Sequence, residues 1–247
     1  MLKYERKRHQ MNANATRLAR MIDLSAVQAT SNEEDIRLCA EIATKYRIIS
    51  VHVLPCWTHF LSTLLPDNGG GDIMIGGPVG FPSGGHTTGI KVQEVRQLIA
   101  DGAREVDMVV NIGKVLSGDY DYVRNDLLKV VEAAAPVPAK VILETHHLTE
   151  KQIRRVCDIA IEVGMAWVKT STGWAPTGAT VEAVSIIADQ LKGRIGIKAA
   201  GGIRDLETLR KLYKLGVRRF GVSTSTTLKV LEQVEKDPSA FPELSQT

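Results

Sequence analysis

Between residues 139 and 222 the chain reads Ala-Lys-Val-Ile-Leu-Glu (139–144), Ala-Trp-Val-Lys (166–169), Ile-Gly-Ile-Lys-Ala (195–199) and Arg-Phe-Gly-Val (219–222), with longer amphipathic stretches between and after them. Short, mostly apolar runs at helix-sized intervals are what parallel strands covered on both faces look like in sequence. Four more such runs precede them, at Arg20–Leu24, Ile49–Leu54, Ile73–Gly76 and Glu105–Val110. The spacers carry helical periodicity: Val123, Leu127, Val130, Val131 and Ala134; Ile153, Val156, Cys157 and Ala160; Leu206, Leu209 and Tyr213. Thr149 stands three before Gln152 and Ser31 three before Glu34, the spacing of a capping box. Gly102, Gly164 and Gly216 each stand just before a strand, where a helix C-terminus favours a left-handed residue.

Eight strand–helix alternations allow a closed barrel or an open doubly wound sheet. No Gly-x-Gly-x-x-Gly follows the first strand, which removes support for a dinucleotide-binding open sheet. The length, 247 residues, suits one barrel of about 250. The expectation is an α/β protein: a single (β/α)8 TIM barrel over residues 1–247, with an extra N-terminal helical segment, and with residues 1–14 and about 235–247 as peripheral tails.

Composition narrows the function. Hydrophobic residues make up 44% and charged residues 24%, ordinary for a globular chain, and the net charge of +3 is too small to mark a nucleic-acid binder. The basic run at residues 3–8 reads as a solvated tail. Cys39, Cys56 and Cys157 are odd in number and lack metal-site spacing, which fits a reducing compartment without disulfides. No run of about 18 apolar residues suggests a membrane span. The expectation is a cytoplasmic protein.

Barrel active sites gather at the C-terminal ends of the strands. The shortlist is therefore Asp23, Asp107, Asn111, Glu144, Lys169, Lys198 and Ser223. Lys169 and Lys198 end consecutive strands, so their two ammonium groups share one cavity. Burial and a like charge both lower a lysine pKa, and about 4 kcal/mol brings one from its usual value to near neutrality. The product is a neutral amine able to attack a carbonyl. A lysine that merely caps a strand and reaches to water is the plainer reading for either one alone, but not for the pair. Asp107, inside an apolar run, needs a partner, and a lysine partner would make it a proton shuttle as well. Thr172-Gly173, Gly201-Gly202 and Ser223-Thr224 follow late strands, where barrel phosphate sites form. Glu144-Thr-His146-His147 reads as a loop and not a metal site, since adjacent extended residues point apart. Trp57 and Trp167 read as packing residues.

Six stretches resemble the deoxyribose-phosphate aldolase family: Met-Ile-Asp-Leu-Ser (21–25), Val-Gly-Phe-Pro-Ser-Gly (79–84), Glu-Val-Asp-Met-Val-Val-Asn (105–111), Val-Ile-Leu-Glu-Thr (141–145), Val-Lys-Thr-Ser-Thr-Gly (168–173) and Ile-Lys-Ala-Ala-Gly-Gly-Ile-Arg (197–204). The resemblance runs from about Met21 to Leu228. It implies reversible cleavage of 2-deoxy-D-ribose 5-phosphate to acetaldehyde and D-glyceraldehyde 3-phosphate, without metal or cofactor, in deoxyribonucleotide catabolism. It makes Lys169 the Schiff-base lysine, Lys198 the second lysine that perturbs it, and Asp107 the proton-relay acid. It puts Gly173, Gly201, Gly202, Ser223 and Thr224 at the phosphate, and Asp23 and Ser25 near the sugar hydroxyls. It also implies a homodimer or higher homo-oligomer, with no nucleic-acid or membrane partner.

The chain departs from the family pattern at several places. Val-His52-Val-Leu54-Pro55 stands where many relatives have Val-Cys-Val-Asn-Pro, and Asp23-Leu24-Ser25 where many have Asp-His-Thr. Trp174 replaces the usual Phe or Lys, Thr224 a second Ser, and the chain ends Ser-Gln-Thr where some members end in Tyr. Leu54, Trp174 and Thr224 are expected to line the substrate region. A related Schiff-base aldolase with a different aldehyde acceptor is therefore the alternative. A barrel kept as a non-catalytic binding protein is a third reading, and the electrostatic cost of the intact lysine pair speaks against it.

Overall fold

The computed structural model describes residues 11–65 and 73–246; the basic run at 3–8 lies outside them. Eight strands, β1 (Ile22–Ala26), β2 (Ser50–Val53), β3 (Met74–Val79), β4 (Glu105–Val109), β5 (Ala139–Ile142), β6 (Trp167–Lys169), β7 (Gly196–Ala200) and β8 (Arg219–Val222), close into a barrel in sequence order. Every neighbouring pair is parallel, including β8 with β1. The described helices are α1 (Ala13–Ala19), α2 (Glu33–Tyr46), α3 (Pro55–Leu64), α4 (Thr88–Ala100), α5 (Ile112–Leu116), α6 (Tyr120–Ala134), α7 (Glu150–Glu162), α8 (Val181–Leu191), α9 (Leu206–Lys214) and α10 (Thr224–Lys236). This is the expected (β/α)8 barrel with an added N-terminal helix.

The strands alternate more strictly than their apolar look suggests. Leu24, Val51, Val106, Met108, Val141, Val168, Ala199 and Phe220 are fully buried in the apolar cluster beneath the helices. The residues between them, Asp23, His52, Glu105, Asp107, Lys140, Lys169, Lys198 and Arg219, are buried too, and they meet one another inside the barrel. A barrel interior filled with charge, where branched apolar residues are the rule, needs near-complete pairing to stand.

The capping box at Thr149 forms with Gln152 as expected. The one at α2 forms a residue later, because the amide of Asn32 is the cap and Asp35 closes the box in place of Ser31 and Glu34. Gly102, Gly164 and Gly216 all take positive φ at helix ends. The segment after Lys236 does not trail away: Phe241 and Leu244 are buried. The Asn14 amide donates to the Pro238 carbonyl (3.0 Å) and the Ser245 hydroxyl (2.8 Å), and Arg17 to the Leu244 carbonyl (2.7 Å). The N-terminal helix and the C-terminal turns thus clasp each other.

The loop after β3 sets one wall of the site. Gly84 has φ +69, and a Cβ there would sit 1.9 Å from the Val110 carbonyl oxygen, beyond the end of β4. Neither backbone can move away cheaply. Gly84→Ala is expected to cost at least about 2 kcal/mol in urea denaturation; a change within about 0.5 kcal/mol, the range of an ordinary surface substitution, would mean that this loop yields freely.

Candidate active site

Each strand brings its charge to the centre by register. Lys169 lies directly across from Lys198, Lys198 from Arg219, and Asp107 from Lys140. Asp107 is the hub. Its Oδ2 accepts from Lys198 Nζ at 2.7 Å and from Lys169 Nζ at 3.0 Å, and its Oδ1 lies 3.1 Å from Lys140 Nζ. Asp23 takes Lys198 on one oxygen (2.5 Å) and Arg219 on the other (2.5 Å). Glu105 takes Lys140 (2.7 Å), Arg219 (2.8 Å) and His52 Nε2 (2.8 Å). The His52 ring lies flat over Gly76, where a Cβ would come within 2.2 Å of it.

These contacts decide the protonation states. Burial by itself raises the Asp107 carboxyl, but Lys140, Lys198 and Lys169 outweigh it and hold it well below the usual carboxylate range. Asp23 follows the same logic, with Lys198 and Arg219 overriding burial. For Lys198 burial lowers the pKa, yet Asp107, Asp23 and Glu105 more than compensate and keep it charged. Lys169 differs. Burial and then the Lys198 ammonium outweigh Asp107, and its pKa falls from the usual 10.5 to about 8.

The ammonium of Lys169 forms part of the floor of a cavity of about 450 Å³ open at the C-terminal end of the barrel. Asp23, Ser25, Thr172, Gly173, Gly201, Gly202 and Ser223 line it together with Lys169 and Lys198, so the structure brings most of the expected site residues into one space. Asp107 is fully buried behind the two lysines and does not line it. Thr224 does not line it either; Ser225 and Thr226 do. Ser223 is the N-cap of α10, so Thr224 opens the helix and the next turn faces the cavity. Leu54 and Trp174 are likewise absent from the lining. Leu54 caps α3, while the Trp174 indole donates to the Val27 carbonyl (2.9 Å) and packs edge-on against Phe81, which does line the cavity.

The remaining candidates serve the loops. Asn111 caps α5 by accepting from Lys114 N. Glu144, at φ +54, accepts from the hydroxyl of Thr172 and so ties the end of β5 to the loop after β6. His146 hydrogen-bonds Thr177 (2.7 Å) and meets His147 edge-on. Asp23, His52 and Glu105 each offer an atom within 4.8 Å of the others, a spacing that could hold a cation. Lys198, Arg219 and Lys140 already fill the space around those carboxylates, so an added metal ion would face three positive charges.

Four members of the centre were not singled out from sequence as site residues: His52, Glu105, Lys140 and Arg219. Glu105 carries a signal in the sequence, two residues before Asp107 and so on the same face of its strand, whereas Lys140 and Arg219 join the centre only through register with Asp107 and Lys198.

A parallel barrel with a low-pKa lysine on the floor of its C-terminal cavity defines an enzyme site of the amine-nucleophile kind. A family model described as DeoC/LacD family aldolase matches residues 69–224. The chain is 77% identical to the deoxyribose-phosphate aldolase of Klebsiella pneumoniae over 95% of its own length and 94% of the relative's. It is 48% identical to that of Sinorhizobium medicae, covering 90% and 89%. It also superposes on the tetrameric deoxyribose phosphate aldolase of Aeropyrum pernix with a TM-score of 0.81, at 28% identity, covering 91% and 93%. The chain belongs to the deoxyribose-phosphate aldolases of the DeoC/LacD family, and is an aldehyde-lyase.

Proposed function

We infer that the protein cleaves 2-deoxy-D-ribose 5-phosphate reversibly to acetaldehyde and D-glyceraldehyde 3-phosphate, through a Schiff base on Lys169. The observation that carries this is the state of the amine: Lys169 Nζ at the cavity floor, 3.0 Å from Asp107, with its pKa lowered to about 8. A charge count supports it. The buried centre holds three carboxylates, Asp23, Glu105 and Asp107, against Lys140, Lys198, Arg219 and Lys169. Among these seven groups the charges sum to zero only when Lys169 is uncharged.

The neutral amine attacks the C1 aldehyde of the open-chain sugar, and loss of water gives an iminium. The C2–C3 bond then breaks, its electron pair passing into the iminium to form an enamine, while the C3 hydroxyl proton leaves. Protonation at C2 and hydrolysis release acetaldehyde and the free amine. The iminium is the electron sink. Asp107, too strongly paired to keep a proton, relays one between Lys169 and Lys198 or a water. Asp23 and Ser25 at the opposite wall meet the sugar, though Asp23 spends both oxygens on Lys198 and Arg219 and acts mainly through them. Thr172, Gly173, Gly201, Gly202, Ser223 and the α10 N-terminus, including the Thr224 amide, receive the phosphate.

The protein acts as one catalytic domain, assembled into a homo-oligomer like its tetrameric relative. A cytoplasmic location fits Cys39, Cys56 and Cys157, all free. No described helix is long and apolar enough to cross a membrane.

Borohydride reduction in the presence of acetaldehyde, followed by peptide mapping, is expected to leave an N-ethyl group on Lys169. An adduct on Lys198 instead would reverse the two lysine roles, and no adduct on a folded protein would end the Schiff-base reading. The attacking species is the unprotonated amine, so the trapping rate is expected to rise about tenfold per pH unit up to about 8 and level above it.

A further inference from the structure

We propose that Lys229 supplies the positive charge that selects a phosphorylated substrate. This rests on the phosphate placement just described and adds the residue that neutralises it. A phosphate monoester brings about −1.5 to −2 charges. The groups that cradle it at the loop after β7 and the start of α10 are backbone amides and hydroxyls, all uncharged. The helix N-terminus offsets about half a charge. About one to one and a half negative charges are left over.

Four cationic side chains line the cavity: Lys169, Lys198, Arg204 and Lys229. The first two are buried at its floor and committed to Asp107 and, for Lys198, Asp23. The loop after β6 offers no cation, because Trp174 stands there and its indole N–H is used on Val27. Arg204 and Lys229 remain; Lys229 has Asp205 as its acidic neighbour, near enough to help lower that carboxyl. Lys229 has the better placement. Ser225, Thr226 and Lys229 all line the cavity from α10, and spacings of three and four residues set them on one helix face. Its ammonium reaches the Arg204 carbonyl at 3.5 Å, which sets it against the Arg204 end of the loop after β7. Arg204 lines the cavity as well and is exposed like Lys229, but it stands on the loop after β7 and shares no helix face with Ser225 and Thr226.

The test compares Lys229→Met, Lys229→Arg and Arg204→Met with the parent in the full chain, measuring cleavage of 2-deoxyribose 5-phosphate and of free 2-deoxyribose. Lys229 is exposed, so the substitution does not threaten folding. For Lys229→Met the ratio of kcat/KM between the two substrates is expected to fall about tenfold, through KM for the phosphorylated one. Lys229→Arg is expected to retain most of the ratio, and the salt sensitivity of that KM to weaken in Lys229→Met. An unchanged ratio in Lys229→Met, or a larger fall in Arg204→Met, would overturn the proposal. Borohydride trapping with acetaldehyde, which carries no phosphate, runs alongside. A parent that traps acetaldehyde but shows no preference for the phosphorylated sugar refutes the role of Lys229 while leaving the Schiff base intact.

Discussion

Lys169→Met is expected to abolish cleavage, with a loss on the order of 10⁴-fold or more in kcat, as for removal of other covalent nucleophiles, and to leave the fold at least as stable. The second half of that expectation follows from the charge count. Without Lys169, the remaining cations Lys140, Lys198 and Arg219 match Asp23, Glu105 and Asp107 one for one. The lysine itself is a burden on folding at neutral pH. Its folded pKa of about 8 lies below the unfolded 10.5, so below pH 8 the folded state holds a proton less tightly than the unfolded one. That difference is worth about 3 kcal/mol against folding, and it fades as pH rises from 8 towards 10.5. Denaturation of the parent and variant at pH 7 and pH 10 checks the sign: the variant's advantage should shrink at the higher pH. A variant less stable than the parent at pH 7 would mean that Lys169 is a needed partner of Asp107 and not a displaced charge.

The sequence yields the barrel because helix-sized spacers and strand-sized apolar runs alternate along the described chain, and that periodicity depends on short-range order alone. It yields Lys169, Lys198 and Asp107 for a related reason, since a charge in an apolar run stands out. Asp107 was legible as an acid needing a partner. That it has three partners was not, because Lys140 and Lys198 meet it only through the register of β5 and β7 with their neighbours. Glu105, two residues before Asp107, shares its face by simple alternation. His52 stands one strand further over, and only closure of the barrel brings its ring between Glu105 and Lys198. Trp174 misled for a different cause. Its position after Thr172-Gly173 placed it near the phosphate, but its ring turns to Phe81 and its N–H to Val27, across the mouth of the cavity. Side-chain direction in a loop is set by tertiary partners, and no spacing rule contains it.

Lys198→Met should move the reaction along the pH axis before it does anything else. The substitution keeps shape and removes one positive charge. Asp23, Glu105 and Asp107 then face only Lys140, Arg219 and Lys169, and the buried centre is neutral only if Lys169 holds its proton. The cause that ranks next to burial in lowering Lys169 is gone, while Asp107 and Asp23, which raise it, are freed from their closest cation. The pKa of Lys169 should climb from about 8 towards the ordinary 10.5. At pH 7 the neutral fraction then drops from about one in ten to below one in a thousand, a loss on the order of 100-fold in trapping rate and kcat/KM. Above pH 10 most of that loss should return. Stability should fall by less than the 3–5 kcal/mol typical of a broken buried ion pair, because Lys169 takes over the vacated charge. The pH dependence of borohydride trapping with acetaldehyde reads the shift directly. A variant slowed equally at every pH, with the rise still near 8, would show that Lys198 acts on the substrate itself and that Lys169 owes its neutrality to burial.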